Sequence, residues 1–111
     1  METIMSSFDE RKNASETRFV MDAAKEFKAE ARRNKALGHW AAELLGKTED
    51  EAKSYAIEVI AADMEEAGDE DVFRKLRGDL DAAGVDISDQ AIRDRMAEAL
   101  KTAREEVYGE D

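Results

Sequence analysis

The chain has 111 residues, a formal net charge of −11 and 42% hydrophobic residues, enough for one domain with one modest core. It has no Cys and a single His, which excludes cysteine nucleophiles, disulfides and metal sites built on several histidines. It also has no Pro, and Ala, Glu, Lys, Arg, Leu and Met dominate, so long helices are permitted and favoured.

Ser7-Phe8-Asp9-Glu10 has the form of a capping box, in which a Ser oxygen accepts from a free backbone N–H and Glu10 reaches back to the cap. It predicts a helix start, and no clear stop follows before Gly46. Residues 8–45 are therefore one long helix or two with a soft joint near residues 20–23. Residues 6–21 have few large apolar side chains, namely Phe8, Phe19, Val20 and Met21, too few to anchor the segment on a bundle. Residues 1–21 are predicted to be a mobile arm, helical only part of the time in isolation.

Gly46 suits a helix C-terminus, and Thr48-Glu49-Asp50-Glu51 is a second capping box. The next helix is expected from about Glu49 to Ala67, ending at Gly68. Asp69 is the expected cap of a third helix, which runs to about Ala83 before Gly84. Ser88 caps the last, with Ile87 and Ile92 spaced as a hydrophobic staple. That helix should reach Tyr108, with residues 109–111 a frayed tail.

Apolar periodicity supports these elements. Phe27, Leu37, Trp40, Ala41, Leu44 and Leu45 share one face. Ala52, Tyr55, Ala56, Val59, Ile60 and Ala67 share a second, and Val72, Phe73, Leu76 and Leu80 a third. Ile92, Met96, Ala99, Leu100, Ala103 and Val107 form the fourth. The fold class is all-α, a four-helix bundle over residues 22–108 with a mobile N-terminal arm. The four stripes satisfy one another, so a monomer is expected.

No apolar run is long enough to cross a membrane, and Met1-Glu2-Thr3-Ile4-Met5 lacks the features of a signal peptide, so the expected location is cytoplasmic. Charge is unevenly distributed: residues 1–47 carry a net +1 and residues 48–111 a net −12. A helix-turn-helix reading of residues 85–93 is disfavoured by that acidic half, and no nucleic-acid partner is expected. Carboxylate pairs are uninformative in a chain with 28 acidic residues, and no enzyme chemistry is indicated. Asp63 lies at the edge of an apolar stripe, where pairing with an Arg or a helix cap is favoured over a ligand contact. Arg32, Arg33 and Lys35, with His39 and Trp40 nearby, have the residue types to hold a nucleotide, with cations on phosphate and an aromatic under the base. A solvated helix face with Trp40 packed in the core is the alternative.

Several long blocks occur in order. They are Ser6-Ser7-Phe8-Asp9-Glu10-Arg11, Phe27-Lys28-Ala29-Glu30-Ala31-Arg32-Arg33-Asn34-Lys35 and Leu37-Gly38-His39-Trp40-Ala41-Ala42-Glu43-Leu44-Leu45-Gly46. Ala62-Asp63-Met64-Glu65-Glu66-Ala67-Gly68-Asp69-Glu70-Asp71-Val72 and Ala83-Gly84-Val85-Asp86 follow. Together, from about Ser6 to Glu106, the chain resembles the zeta subunit family, the intrinsic ATPase inhibitors of alphaproteobacterial F-type ATP synthases. The resemblance implies a non-enzymatic inhibitor whose arm inserts as a helix between subunits of the catalytic head and blocks the rotation that hydrolyses ATP. It would lie peripheral to the inner membrane when bound, without inserting into it. Carried onto this chain, the inhibitory segment is Ser6 to about Phe19. Ser7 caps it, Phe8 is an apolar anchor, Asp9, Glu10, Arg11 and Lys12 make polar contacts, and Phe19 seats the end of the arm. The family also implies ATP or ADP as a candidate ligand, which adds weight to Arg32, Arg33 and Trp40, with no required cofactor. The Met1–Ile4 extension and the less helix-prone Lys12–Thr17 stretch depart from the family pattern.

Overall fold

Local capping signals divide the chain into four helices: α1 (Glu2–Leu44), α2 (Glu49–Glu65), α3 (Glu70–Ala82) and α4 (Asp89–Gly109). The computed structural model describes the backbone of residues 2–65 and 69–110 and the side chains of residues 22–64 and 69–110. No strand occurs among the described residues, and the fold is all-α.

Helix α1 is continuous to Leu44, so the stretch expected as one helix or two is one, without a joint near residue 20. It begins at Glu2, upstream of the capping box at Ser7. Residues 2–6 contain neither Gly nor Pro, so nothing in their sequence forces a stop. The side chains of Ser7, Phe8, Asp9, Glu10, Arg11, Lys12 and Phe19 lie outside the described residues, as do the expected helix end at Ala67 and Gly68.

Gly46 and Gly84 take φ of +72° and +73°, the left-handed conformation in which a side chain would be strained. At each, two backbone hydrogen bonds close the helix end: Gly46 N to Glu43 O and Lys47 N to Ala42 O, then Gly84 N to Asp81 O and Val85 N to Leu80 O. The capping box at Thr48 is formed in both directions, with Glu51 N donating to the Thr48 hydroxyl at 3.2 Å and Thr48 N to the Glu51 carboxylate at 2.8 Å. The hydrogen bond from the Thr48 backbone holds the Glu51 carboxyl below its usual range. Ser88 accepts from Ala91 N at 3.1 Å at the start of α4. Asp69 differs from expectation. Its backbone occupies the cap position of α3, but its side chain makes no cap bond and accepts from Arg33 instead. A hydrogen bond from a buried guanidinium is stronger than one from a neutral N–H.

The core gathers Leu37, Ala41 and Ala42 of α1, Ala52, Tyr55 and Val59 of α2, Val72, Phe73, Leu76 and Leu80 of α3, and Ile92 and Met96 of α4. Trp40, Leu45, Val85, Ile87 and Ala99 pack against it. A smaller cluster of Ala29, Ala103 and Val107 continues the α1–α4 contact. Helix α1 is the shared element, packed on α2 along one side and α4 along another. Two residues expected in the α1 stripe are exposed: Phe27 at 62% and Leu44 at 42%. Leu44 occupies the last turn of α1, where the bundle ends. Asn34 lies opposite Asp63, so Phe27, seven residues further upstream, falls beyond the last described turn of α2.

Tyr55 ties α2 to α3. Its hydroxyl donates to Asp79 at 2.7 Å, and Lys47 and Lys75 approach its ring. Burial pushes the Tyr55 hydroxyl well up, and its bond to Asp79 adds to this. Burial alone would raise Asp79, but hydrogen bonds from Tyr55 and Lys75 outweigh it and hold the carboxyl below its usual value.

Candidate functional site

The stem of α1, from Lys25 to His39, meets α4 through ion pairs as well as through the buried Ala29, Ala103 and Val107. Lys28 binds Glu110 at 2.8 Å, Arg32 binds both Glu106 and Glu110, and Arg104 binds Glu26 at 3.0 Å. Lys25 lies over the Tyr108 ring. Of the three C-terminal residues, α4 reaches Gly109, Glu110 is held by two cations of α1, and Asp111 lies outside the described residues. The bonds from Lys28 and Arg32 hold the Glu110 carboxyl below its usual value. Each pair is exposed, so salt screens them all.

Beside these pairs lies a groove of about 620 Å³ between α1 and α4. Alanines 36, 99 and 103 contribute its apolar lining, and Arg32, Lys35 and His39 line it from α1. Arg95, Glu98, Thr102 and Glu106 line it from α4. Arg32, Lys35 and Arg95 bring three cations to this lining, with Arg32 paired to Glu106 and Arg95 to Glu98. The cleft thus has the donors for a phosphate-bearing ligand.

The three residues singled out for a nucleotide do not all meet in this groove. Arg32 lines it. Trp40 is half-buried against the core, and Arg95, which does line the groove, sits 5.9 Å from the centre of its ring. Arg33 is turned away and only 1% exposed. Its Nε donates to Asn34 at 3.0 Å and its Nη1 to Asp69 at 2.6 Å. Its Nη2 lies 3.5 Å from an Asp63 oxygen, with no hydrogen bond of its own. Asn34 donates to the other Asp63 oxygen at 3.0 Å. This network joins α1 to the end of α2 and the start of α3, and gives Asp63 the Arg partner favoured from its position. Burial pushes the nearby Glu30 carboxyl up and Asp63 adds repulsion, against the pull of Arg33.

Arg95 is the groove cation that sequence reasoning missed, and the acidic Glu98 and Glu106 were not singled out either. Arg95 comes from α4, far along the chain from Arg32, and no local pattern marks it. Among the described residues no group of His, Cys, Asp and Glu could hold a metal ion, and no helix is long and apolar enough to cross a membrane.

An all-α bundle whose N-terminal helix extends far upstream of the described core has the form of a small binding or regulatory protein. The family model for ATPase inhibitor subunit zeta matches residues 5–106, and the chain belongs to that family. A solved solution NMR structure is similar to it, with 48% identity and a TM-score of 0.67, covering 78% of this chain and 98% of that one. No curated protein matches the chain. The family assignment agrees with the resemblance carried by the sequence blocks from Ser6 to Glu106.

Proposed function

We propose that this protein is a regulatory, non-catalytic inhibitor of ATP hydrolysis by the F-type ATP synthase, acting at its catalytic head. In this reading the segment from Ser6 to about Phe19 inserts as a helix between head subunits and blocks rotation. Ser7, Phe8, Asp9, Glu10, Arg11, Lys12 and Phe19 make the contacts. Family membership supports the activity in general. The observation that carries the mechanism is the continuity of α1 from Glu2 to Leu44, combined with a described core that begins only at Ala29. None of the described side chains of residues 22–28 is buried, so α1 leaves that core before it reaches the segment that would enter a cleft. A helix already formed also lowers the ordering cost of binding. The protein would work in the cytoplasm, peripheral to the inner membrane while bound, and as a monomer when free.

The test is hydrolysis by the purified ATP synthase head of the source organism, titrated with the full chain and with a chain beginning at Val20. The full chain is expected to inhibit and the truncated one to keep its helical circular dichroism while losing inhibition. Full inhibition by the truncated chain would remove the arm from the mechanism.

The groove favours a second reading, an adenine-nucleotide sensor. Arg32, Lys35 and Arg95 would face the phosphates of ATP or ADP, with Trp40 behind Arg95. Adding ATP to labelled protein should shift the amide resonances around Arg32, Lys35 and Arg95 first, and those around Arg33 little. Unchanged spectra at millimolar ATP would exclude this reading.

A further inference from the structure

We propose that the last two turns of α4 form a clasp on the stem of α1 that sets the line along which the arm leaves the bundle. Glu26, Lys28 and Arg32 of α1, with Arg104, Glu106 and Glu110 of α4, are its positioning residues. This deepens the inhibitor reading and rests on it for what the arm does.

The stem needs support from outside itself. None of residues 22–28 buries its side chain, and a helix without buried contacts is marginal in water. Helix α2 does not reach far enough to supply that support. Gly38 packs against Ala56 and Asn34 donates to Asp63, so α2 runs antiparallel to α1 and ends at Glu65, alongside about Ala31. Upstream of that point Lys25, Glu26 and Lys28 all engage α4, through Tyr108, Arg104 and Glu110. Arg32 adds Glu106 and Glu110, and Ala29, Ala103 and Val107 form the small apolar contact beside them.

The charges also fix a register. Helix α4 runs antiparallel to α1, from Arg95 beside Trp40 to Glu110 beside Lys28. A slip of α4 by one turn, about four residues, in either direction would set Leu100 or Tyr108 against Glu26 and break its pair with Arg104. Both signs occur on both helices, so the seam recognises one alignment rather than any.

Direction matters because the arm is long. From Glu2 to Ala24, α1 spans about 35 Å at 1.5 Å per residue. A tilt of about 10° at Lys25 would move the far end by about 6 Å, roughly one helical pitch. The segment proposed to enter a cleft ends at about Phe19, upstream of Lys25, so the clasp stays closed during insertion. Holding the rod in one direction beforehand lowers the ordering cost of binding. The pairs are exposed, so the seam can part locally without opening the core.

The test compares three forms of the full chain. One is wild type, and an open form carries Arg104→Glu and Glu110→Lys. A swapped form adds Glu26→Arg and Lys28→Glu, which restores both pairs with their signs exchanged. Amide hydrogen exchange is measured residue by residue, and inhibition of hydrolysis is titrated on the purified ATP synthase head. In the open form, exchange at residues 22–30 and 103–109 should quicken at least about tenfold, while Leu37, Val59 and Leu76 keep their protection. Its half-inhibiting concentration should rise at least about fivefold, and the swapped form should recover both properties. Unchanged exchange in the stem, or an equal loss of protection at Leu37, Val59 and Leu76, would overturn the clasp. Inhibition that is unchanged or stronger in the open form would overturn its positioning role and leave the arm mechanism standing. Restored exchange without restored inhibition in the swapped form would mean that these side chains touch the partner themselves, and would overturn that role too. Wild type that fails to inhibit would overturn the inhibitor reading and the positioning role with it, a failure read from wild type alone.

Discussion

Replacing Arg33 by Met is expected to lower the free energy of unfolding by about 3 to 5 kcal/mol, the loss typical when one partner of a buried ion pair is removed. The guanidinium is 1% exposed and is the centre of a network reaching Asn34, Asp63 and Asp69. Methionine would fill much of the aliphatic volume but leave Asn34 without its donor and Asp63 without its cation. Asp69 would suffer least, because its side chain is 57% exposed and free to swing to the cap position of α3 that it does not now fill. Against a total stability of about 5 to 15 kcal/mol for a typical domain, such a loss is large. Arg33→Lys should recover little, because an ammonium lacks the planar fork that serves two elements at once. Urea unfolding followed by far-ultraviolet circular dichroism measures the change. A loss below about 1 kcal/mol, the size of a surface pair, would show that the network contributes little.

That network also marks the limit of what the sequence makes legible. The helix ends at Gly46, Thr48, Gly84 and Ser88 are encoded within a few residues of themselves, because backbone groups at a helix end must be satisfied locally. They were readable, and the stripes they bound locate most of the core. The start of α1 was not, because the capping box at Ser7 only competes with a longer helix and nothing before it breaks one. Phe27 has the spacing of a core residue, but whether it is covered depends on where α2 stops, a fact held by a different part of the chain. In Arg32 and Arg33 two adjacent identical side chains meet different surroundings, since neighbours on a helix point about 100° apart. One faces the groove and the carboxylates of α4, the other Asp63 near the end of α2 and Asp69 at the start of α3. Which is which follows from the packing of α2 and α4 on α1, so the candidate site was legible as a region and not as a set of contacts. The meeting of Arg95 with Arg32 and Lys35 is a product of the same packing.

The second large effect is expected at Gly38, where the usual rule for helices should change sign. Ala in place of Gly within a helix ordinarily stabilises by about 1 kcal/mol. A Cβ at Gly38, however, would lie 2.4 Å from the Ala56 Cα and 2.9 Å from its Cβ. The nearest obstacle is backbone, so no side chain can rotate away, and α1 and α2 must separate. Separation opens the core between Leu37, Ala41, Ala52 and Val59, which are tightly buried along the same crossing. Gly38→Ala is therefore expected to cost about 1 to 3 kcal/mol, the range for overpacking a close contact. Gly78→Ala is the control, since it lies inside α3 with nothing within 4 Å of an added Cβ and should gain up to about 1 kcal/mol. The double variant Gly38→Ala with Ala56→Gly should regain part of the loss, because it moves the methyl across the contact without adding one. Matching urea midpoints for wild type and Gly38→Ala would mean that the two helices can part at no cost. The close approach would then be incidental to stability. A loss at Gly38 beside a gain at Gly78 would instead show that the α1–α2 crossing, which carries the stem and the arm, is held at this glycine by backbone contact.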